Sequence, residues 1–255
     1  MVLKIPKIIH QTCRTFDSIP KHWKDTPKTW MDNHKDWKYV FWDDESIEYY
    51  MRTYHPEFMD AWEGFREKIQ RIDAFRYFIL YDFGGIYCDM DAQALQNIEP
   101  YIDTGLSVYL TKSANVGSTY SNFFMVSEPG CGLWPIMWKR MRRPLKWYTL
   151  GKHARVMLTT GPAALTDAVS EYTGVIGHLP PKLFNATDVN EIKDGVVKYG
   201  TVLKNLQGTS WCGWDSVFYN FFMKYRWHFV ILLAIVVVII LTVWIVKWLK
   251  RRKQT

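Results

Sequence analysis

The sequence predicts an α/β domain built on a mixed, largely parallel sheet, followed by one apolar helix near the C-terminal end. Two observations carry this expectation. Short apolar runs of strand length alternate with helix-length amphipathic stretches through residues 5–206. Further on, residues 229–246, FVILLAIVVVIILTVWIV, hold Thr242 as their only polar residue. At ~1.5 Å rise per residue, that segment covers roughly 27 Å, close to a bilayer's hydrocarbon core.

Taken in order, IPKIIH at residues 5–10 reads as a first, buried strand. HWKDTPKTWMDNHKDW supplies helix with breakers, and KYVFW at 38–42 a second strand, closed by the turn-and-cap pair Asp43 and Asp44. Residues 46–54 and 56–65 look helical and aromatic-rich. RIDAFRYFILYDFGGIYCDMD at 71–91 begins as an amphipathic helix, stops at Gly84-Gly85 and continues as a short strand. LSVYLT (106–111) and NFFMVSE (122–128) are two more strands. Residues 134–143 and 156–169 are amphipathic helices, the second interrupted by Gly161-Pro162, and TVLKNL at 201–206 is a late strand. Ligands of such sheets bind at the carboxyl ends of the strands. The expected layout is a domain over 1–226, a transmembrane helix over 227–249 and a basic tail over 250–255.

The formal charge of +7 would suggest a nucleic-acid partner until it is located. Seven positive residues (Lys224, Arg226, Lys247, Lys250, Arg251, Arg252, Lys253) flank the apolar segment, and no acid follows Asp215. Without them the body carries 25 basic and 25 acidic residues, so no nucleic-acid footprint is expected. Trp227, Trp244 and Trp248 sit near the segment's two ends, as interfacial aromatics do. The stronger positive flank after it places the tail in the cytosol and the domain in the lumen of a Golgi- or ER-type endomembrane. MVLKIPKIIHQT shows no apolar signal segment, which argues for the alternative, a cytosolic domain. Cys13, Cys88, Cys131 and Cys212 show no zinc spacing and read as free thiols, with Cys88 pointing into a core.

The chemistry concentrates around the double glycine. Residues three and four apart share a helix face, so Asp73, Arg76 and Tyr77 project together while Ile72, Phe75, Ile79 and Leu80 line the buried side. In the extended run that follows, period two separates Ile86, Cys88 and Met90 from Tyr87, Asp89 and Asp91. Two carboxylates emerging on one side of a strand end repel unless a cation sits near them, and oxygen ligands suit Mg²⁺ or Mn²⁺. A bare Asp-x-Asp is commonplace in solvated turns. What singles this one out is its place behind helix, double glycine and strand. No Ser-His-Asp arrangement and no Walker-type glycine loop appears, which removes support for hydrolase and kinase readings.

IPKIIHQT, FWDDES and IQRIDAFRYFILYDFGGIYCDMD together resemble the glycosyltransferase family 32 pattern, nearest to its inositol phosphorylceramide mannosyltransferases. Looser likeness continues through SNFFM at Ser121, TTGPAAL at Thr159 and GTSWCGWD at Gly208. The resemblance implies a type A glycosyltransferase fold and retaining, Mn²⁺- or Mg²⁺-dependent transfer from a nucleotide sugar donor to a lipid or glycan acceptor at a membrane. It implies Asp89 and Asp91 as metal and sugar-nucleotide aspartates and Asp73 and Arg76 as the pair holding the donor sugar. Ile9, His10 and Gln11 would lie near the base, and Ser210 and Trp211 would close over the diphosphate, with Ser210 an extra metal ligand. Cys212 stands where relatives often have His. Tyr77, Gly85, Tyr87 and Asn122 complete the expected substrate-binding set. His10 is as readily a packed core histidine, Asn122 as readily a strand-end residue, and His153 and His178 are assigned to the surface. A tethered sugar-nucleotide- or glycan-binding protein without catalysis is the alternative.

Overall fold

Six segments form the central sheet: β1 (Ile8–Thr12), β2 (Lys38–Trp42), β3 (Gly85–Cys88), β5 (Val108–Lys112), β6 (Tyr120–Ser127) and β7 (Gly177–Leu179). In this computed structural model, which describes residues 4–102, 105–113, 118–145, 149, 151–184, 202–206, 208 and 213–252, their order is β2-β1-β3-β6-β5-β7. β1 runs parallel to β2 and β3, β6 is antiparallel to β3 and β5, and β5 is parallel to β7. The sheet is therefore mixed and parallel-rich, as expected. Two short strands, β4 (Ala92–Ala94) and β8 (Leu203–Asn205), pair antiparallel on their own. β4 and β7 have no counterpart among the expected strands, because three residues are too few to show a period.

Helices cover both faces. α2 (Asp44–Tyr54), α4 (Lys68–Asp82), α5 (Leu133–Met141) and α7 (Pro162–Glu171) pack on one, where Tyr50, Phe75, Phe78, Trp134 and Leu165 meet Tyr87 and Leu110 of the sheet. α1 (Thr26–Asn33), the β4–β8 pair and α8 (Pro181–Phe184) cover the other, with Trp30, Ala92, Leu203 and Phe184 against Ile9, Ile86, Cys88 and Phe124. The strand period holds in β3: Ile86 and Cys88 face one layer and Tyr87 the other. α3 (Met59–Gly64) and α6 (Lys152–Thr159) complete the first layer. The Asp43 carboxylate accepts from the Ser46 amide at 2.8 Å while Ser46 Oγ accepts from the Asp43 amide at 2.9 Å, a capping box that starts α2 where the sequence placed a cap.

α4 departs from its expected amphipathic character. Every residue from Asp73 to Leu80 is buried. The helix lies between the sheet and an aromatic layer, with Trp134 stacked on Tyr77 at 5.6 Å and Trp138 on Phe78 at 4.4 Å. A helix covered on all sides needs no polar stripe, and the polar residues it carries are buried with the rest. After α4 the chain turns back at once. Gly85 adopts φ 87°, and a Cβ there would stand 2.4 Å from the Ile8 carbonyl oxygen, so only glycine lets β3 lie against β1. His153 is also buried, correcting its surface assignment; α6 turns it inward, whereas His178 is exposed. Cys13, Cys88 and Cys131 are free, with Cys88 in the core, and Cys212 lies outside the described residues.

The first compact unit runs Met1–Trp211 and the second Cys212–Thr255. The second is one helix, α9 (Trp214–Arg252), so the expected domain limit at 226 falls inside it. Within α9, Tyr225–Ile245 is 21 residues long with a mean hydropathy of 3.0 and none of it buried, which is long and apolar enough to cross a membrane.

Candidate functional site

One guanidinium organises the helix half of the site. Arg76 lies one turn after Asp73 on α4, and its Nη2 contacts Asp73 Oδ1 at 2.9 Å. Nη1 donates to the Asn122 carbonyl at 2.7 Å and lies 3.3 Å from Asp89 Oδ1, while the guanidinium carbon sits 4.6 Å over the Tyr87 ring. Asp73 is held on both oxygens. Asn122 Nδ2 donates to Oδ1 at 3.1 Å, and Thr160 Oγ1 donates to Oδ2 at 3.1 Å. Tyr77 closes the ring of contacts, donating to the Thr160 carbonyl at 2.6 Å and accepting from Asn122 Nδ2 at 3.2 Å.

The strand half is more open. Asp89 follows the last residue of β3; its amide donates to the Phe123 carbonyl at 2.8 Å, and its carbonyl receives the Ala92 amide at 3.0 Å, which turns the chain. Tyr87 Oη donates to Asp89 Oδ1 at 2.8 Å. Asp91, in that turn, accepts the Gly208 amide on Oδ2 at 2.5 Å. A Cβ on Gly208 would come within 2.6 Å of that oxygen and 3.0 Å of the Trp23 ring, so a larger residue there would have to displace one of them. Asp91 Oδ1 is buried with no hydrogen-bond partner among the described residues, and so is Arg76 Nε.

Three carboxylates face one guanidinium here. Burial raises Asp73 to about 6 against the pull of Arg76, Thr160 and Asn122. Burial also raises Asp89 to about 7, reinforced by the neighbouring Asp91 and opposed by Arg76, although a third of its side chain remains open. Asp91 is raised for the same first reason, with the Gly208 amide opposing. A cluster whose carboxylates resist ionisation together is stabilised by an added positive charge. The residues fit a divalent ion. Two half-buried carboxylates, one with an unpartnered oxygen, suit a hard cation that completes its shell from a ligand's phosphates. Among the described residues no group of three or more His, Cys, Asp or Glu side chains offers an all-protein metal cage.

Of the expected base-side residues, Ile9 puts its side chain in the core at 1% exposure. His10 is likewise internal. Trp42 Nε1 donates to its Nδ1 at 3.1 Å, which leaves Nε2 to donate to the Gly84 carbonyl at 3.1 Å. Burial, partly opposed by that bond to Gly84, lowers its pKa to about 4, so it is neutral. Gln11 is held between Tyr39, which donates to Oε1 at 2.9 Å, and the Asp89 carbonyl, which accepts from Nε2 at 3.1 Å. Gln11 thus ties the end of β1 to the aspartate turn. Ser210 and Trp211 lie outside the described residues. Thr160, Thr12, Tyr39 and Trp23 escaped the sequence reading. Thr12 Oγ1 lies 3.2 Å from Tyr87 Oη, and Trp23 stands beside Gly208 with a buried Nε1 that has no partner among the described residues. The TTGPAAL run was the one available signal for Thr160.

Residues 20–107, which hold Asp73, Arg76, Tyr77, Tyr87, Asp89 and Asp91, match the family described as the glycosyltransferase sugar-binding region containing the DXD motif. The chain carries that region, and the resemblance to glycosyltransferase family 32 read from its motifs stands. It is similar to mannosyl phosphorylinositol ceramide synthase SUR1 of Saccharomyces cerevisiae, 34% identical over 168 residues covering 66% of this chain and 42% of that protein. It is also similar to inositol phosphoceramide mannosyltransferase 2 of Schizosaccharomyces pombe, 28% identical over 212 residues covering 83% of this chain and 59% of that one. The chain thus spans about half the length of these curated relatives. Among solved structures, the PaToxG glycosyltransferase matches 66% of this chain and 69% of its own with a TM-score of 0.49 and 13% identity.

Proposed function

We propose that this chain is a membrane-anchored, metal-dependent retaining glycosyltransferase that moves mannose from GDP-mannose to a hydroxyl of a lipid-linked acceptor such as inositol phosphorylceramide. The observation that carries the reading is the unpartnered, buried Oδ1 of Asp91 beside Asp89, at the carboxyl end of β3 and inside the matched sugar-binding region. The names of the relatives supply the sugar and the acceptor class.

Asp89 and Asp91 would hold Mn²⁺ or Mg²⁺, which would supply Lewis-acid stabilisation of the departing nucleoside diphosphate. Asp73 and Arg76 act as one unit. Arg76 orients Asp89, and Asp73, itself held by Asn122 and Thr160, fixes Arg76 in place. Gln11 fixes the turn carrying Asp89, and Gly208 fixes Asp91, so both carboxylates meet the donor already oriented. The family resemblance assigns Ser210 and Trp211 to the diphosphate. The acceptor hydroxyl attacks from the face the leaving group vacates, which retains configuration. The span Tyr225–Ile245 tethers the domain to the bilayer, in the lumen of the Golgi or ER, where lipid acceptors lie.

The test is incubation of the purified full chain with GDP-mannose and other nucleotide sugars, Mn²⁺ and inositol phosphorylceramide, following nucleoside diphosphate release. Release from GDP-mannose with a mannosylated lipid product is expected. Binding of donor without release under any condition would return the non-catalytic alternative. A glycosylation reporter fused after Thr255 checks topology, and its modification would overturn the lumenal domain.

A further inference from the structure

We propose that the cavity between α4, α5 and α6 binds the phosphate of a phosphodiester acceptor, and so selects phosphate-bearing acceptors over phosphate-free ones; this rests on the transferase reading above. The cavity measures about 450 Å³, within the size range of small-molecule sites. Its wall carries Arg66, Arg142, Arg143 and Arg155, together with Gln70 and Thr159.

The charges there are not balanced. Arg155 contacts Glu67 at 3.0 Å, and Arg143 shares Glu171 at 3.4 Å with Arg140, which holds it more closely at 2.9 Å. Among the described residues Arg142 has no carboxylate partner: it donates to the Glu57 carbonyl and lies 4.9 Å over the Phe58 ring. Arg66 has no partner among the described residues. Two guanidinium groups without counterions, beside two that are only partly neutralised, make an anion site, and the planar fork of arginine matches phosphate oxygens.

Position gives the anion its meaning. Gln70 lies one turn before Asp73 on α4, and Thr159 adjoins Thr160, whose hydroxyl donates to Asp73. The cavity therefore shares a wall with the helix half of the donor site while staying apart from the aspartates that suit the metal. A phosphodiester seated on Arg66 and Arg142 would hold the group it carries near Gln70, one turn before Asp73 on α4.

The experiment compares two water-soluble acceptors with the same ring hydroxyls, glycerophosphoinositol and inositol, using full-length wild type, the double variant Arg66→Gln/Arg142→Gln, and Lys28→Gln, on α1, as a charge-loss control outside the cavity. Wild type is expected to show a KM for glycerophosphoinositol at least about tenfold below that for inositol. The double variant should lose this preference through KM, with kcat within about twofold, while Lys28→Gln keeps it. Calorimetric titration of glycerophosphoinositol, and separately of inorganic phosphate, reads the cavity without turnover. Loss of glycerophosphoinositol binding in the double variant supports the proposal even if wild type transfers nothing, an outcome that would sink the transferase reading alone. An unchanged acceptor preference and unchanged binding in the double variant overturn it. Loss of inorganic phosphate binding with glycerophosphoinositol unaffected overturns it as well, since the cavity would then hold a free anion and not the acceptor.

Discussion

The two pairs of the site, Asp73 with Arg76 and Asp89 with Asp91, are built on opposite principles. Asp73 and Arg76 sit almost wholly inside the protein, and both oxygens of Asp73 are taken by Arg76, Asn122 and Thr160. Asp89 and Asp91 are half-buried, and Asp91 keeps one oxygen that nothing in the described chain satisfies. A buried charge pair that loses one member strands the other without solvent, so the helix half is bound up with folding. The strand half gives the folded chain less and leaves room for what the chain does not contain. On the proposed reading, one motif region separates a framework from a receptor.

The largest expected effect breaks this contrast on the receptor side. Asp91→Asn should lower nucleoside diphosphate release by about a thousandfold or more while shifting unfolding by less than about 1 kcal/mol, read by donor turnover and urea denaturation. Unfolding of this variant would erase the distinction. On the framework side, Asp73→Asn should cost about 3 kcal/mol of stability, because Arg76 loses its closest counterion inside the protein. A stable but inactive Asp73→Asn would instead make both pairs receptors.

A third test examines the strand that joins them. His10 is neutral when folded, with its pKa lowered to about 4 by burial, against about 6.5 unfolded. The unfolded chain therefore binds the extra proton first as pH falls, so this contribution is intact above about 6.5 and is lost toward 4. Wild type should lose about 3 kcal/mol relative to His10→Gln between pH 7 and pH 4. A flat difference across that range would show that His10 titrates alike in both states.

The constellation was legible because it is local. Helix and strand periods suffice to bring Asp73, Arg76 and Tyr77 to one face and Tyr87 and Asp89 to another, and the double glycine announced the tight return that Gly85 makes against Ile8. What the sequence concealed depends on distant packing. Asn122 was weighed as a sugar contact, yet its amide serves Asp73 and Tyr77. Thr160 reaches Asp73 from 87 residues away, and no period links them. The amphipathic reading of α4 failed for a related reason: the aromatic cover from Trp134 and Trp138 comes from a helix more than fifty residues on. His10 offered two equal readings, and only the positions of Trp42 and Gly84 separate them.

The amide of Gly208 reaches Asp91 across 117 positions of sequence, just beyond the β4–β8 pairing. During synthesis, which delivers the N-terminal part first, every partner of the helix half has emerged once Thr160 is made. The aspartate turn must wait for nearly fifty more residues before its last contact exists. Long-range closure of this kind is slow, so a nascent chain passes through a stage with its framework assembled and its receptor unfinished.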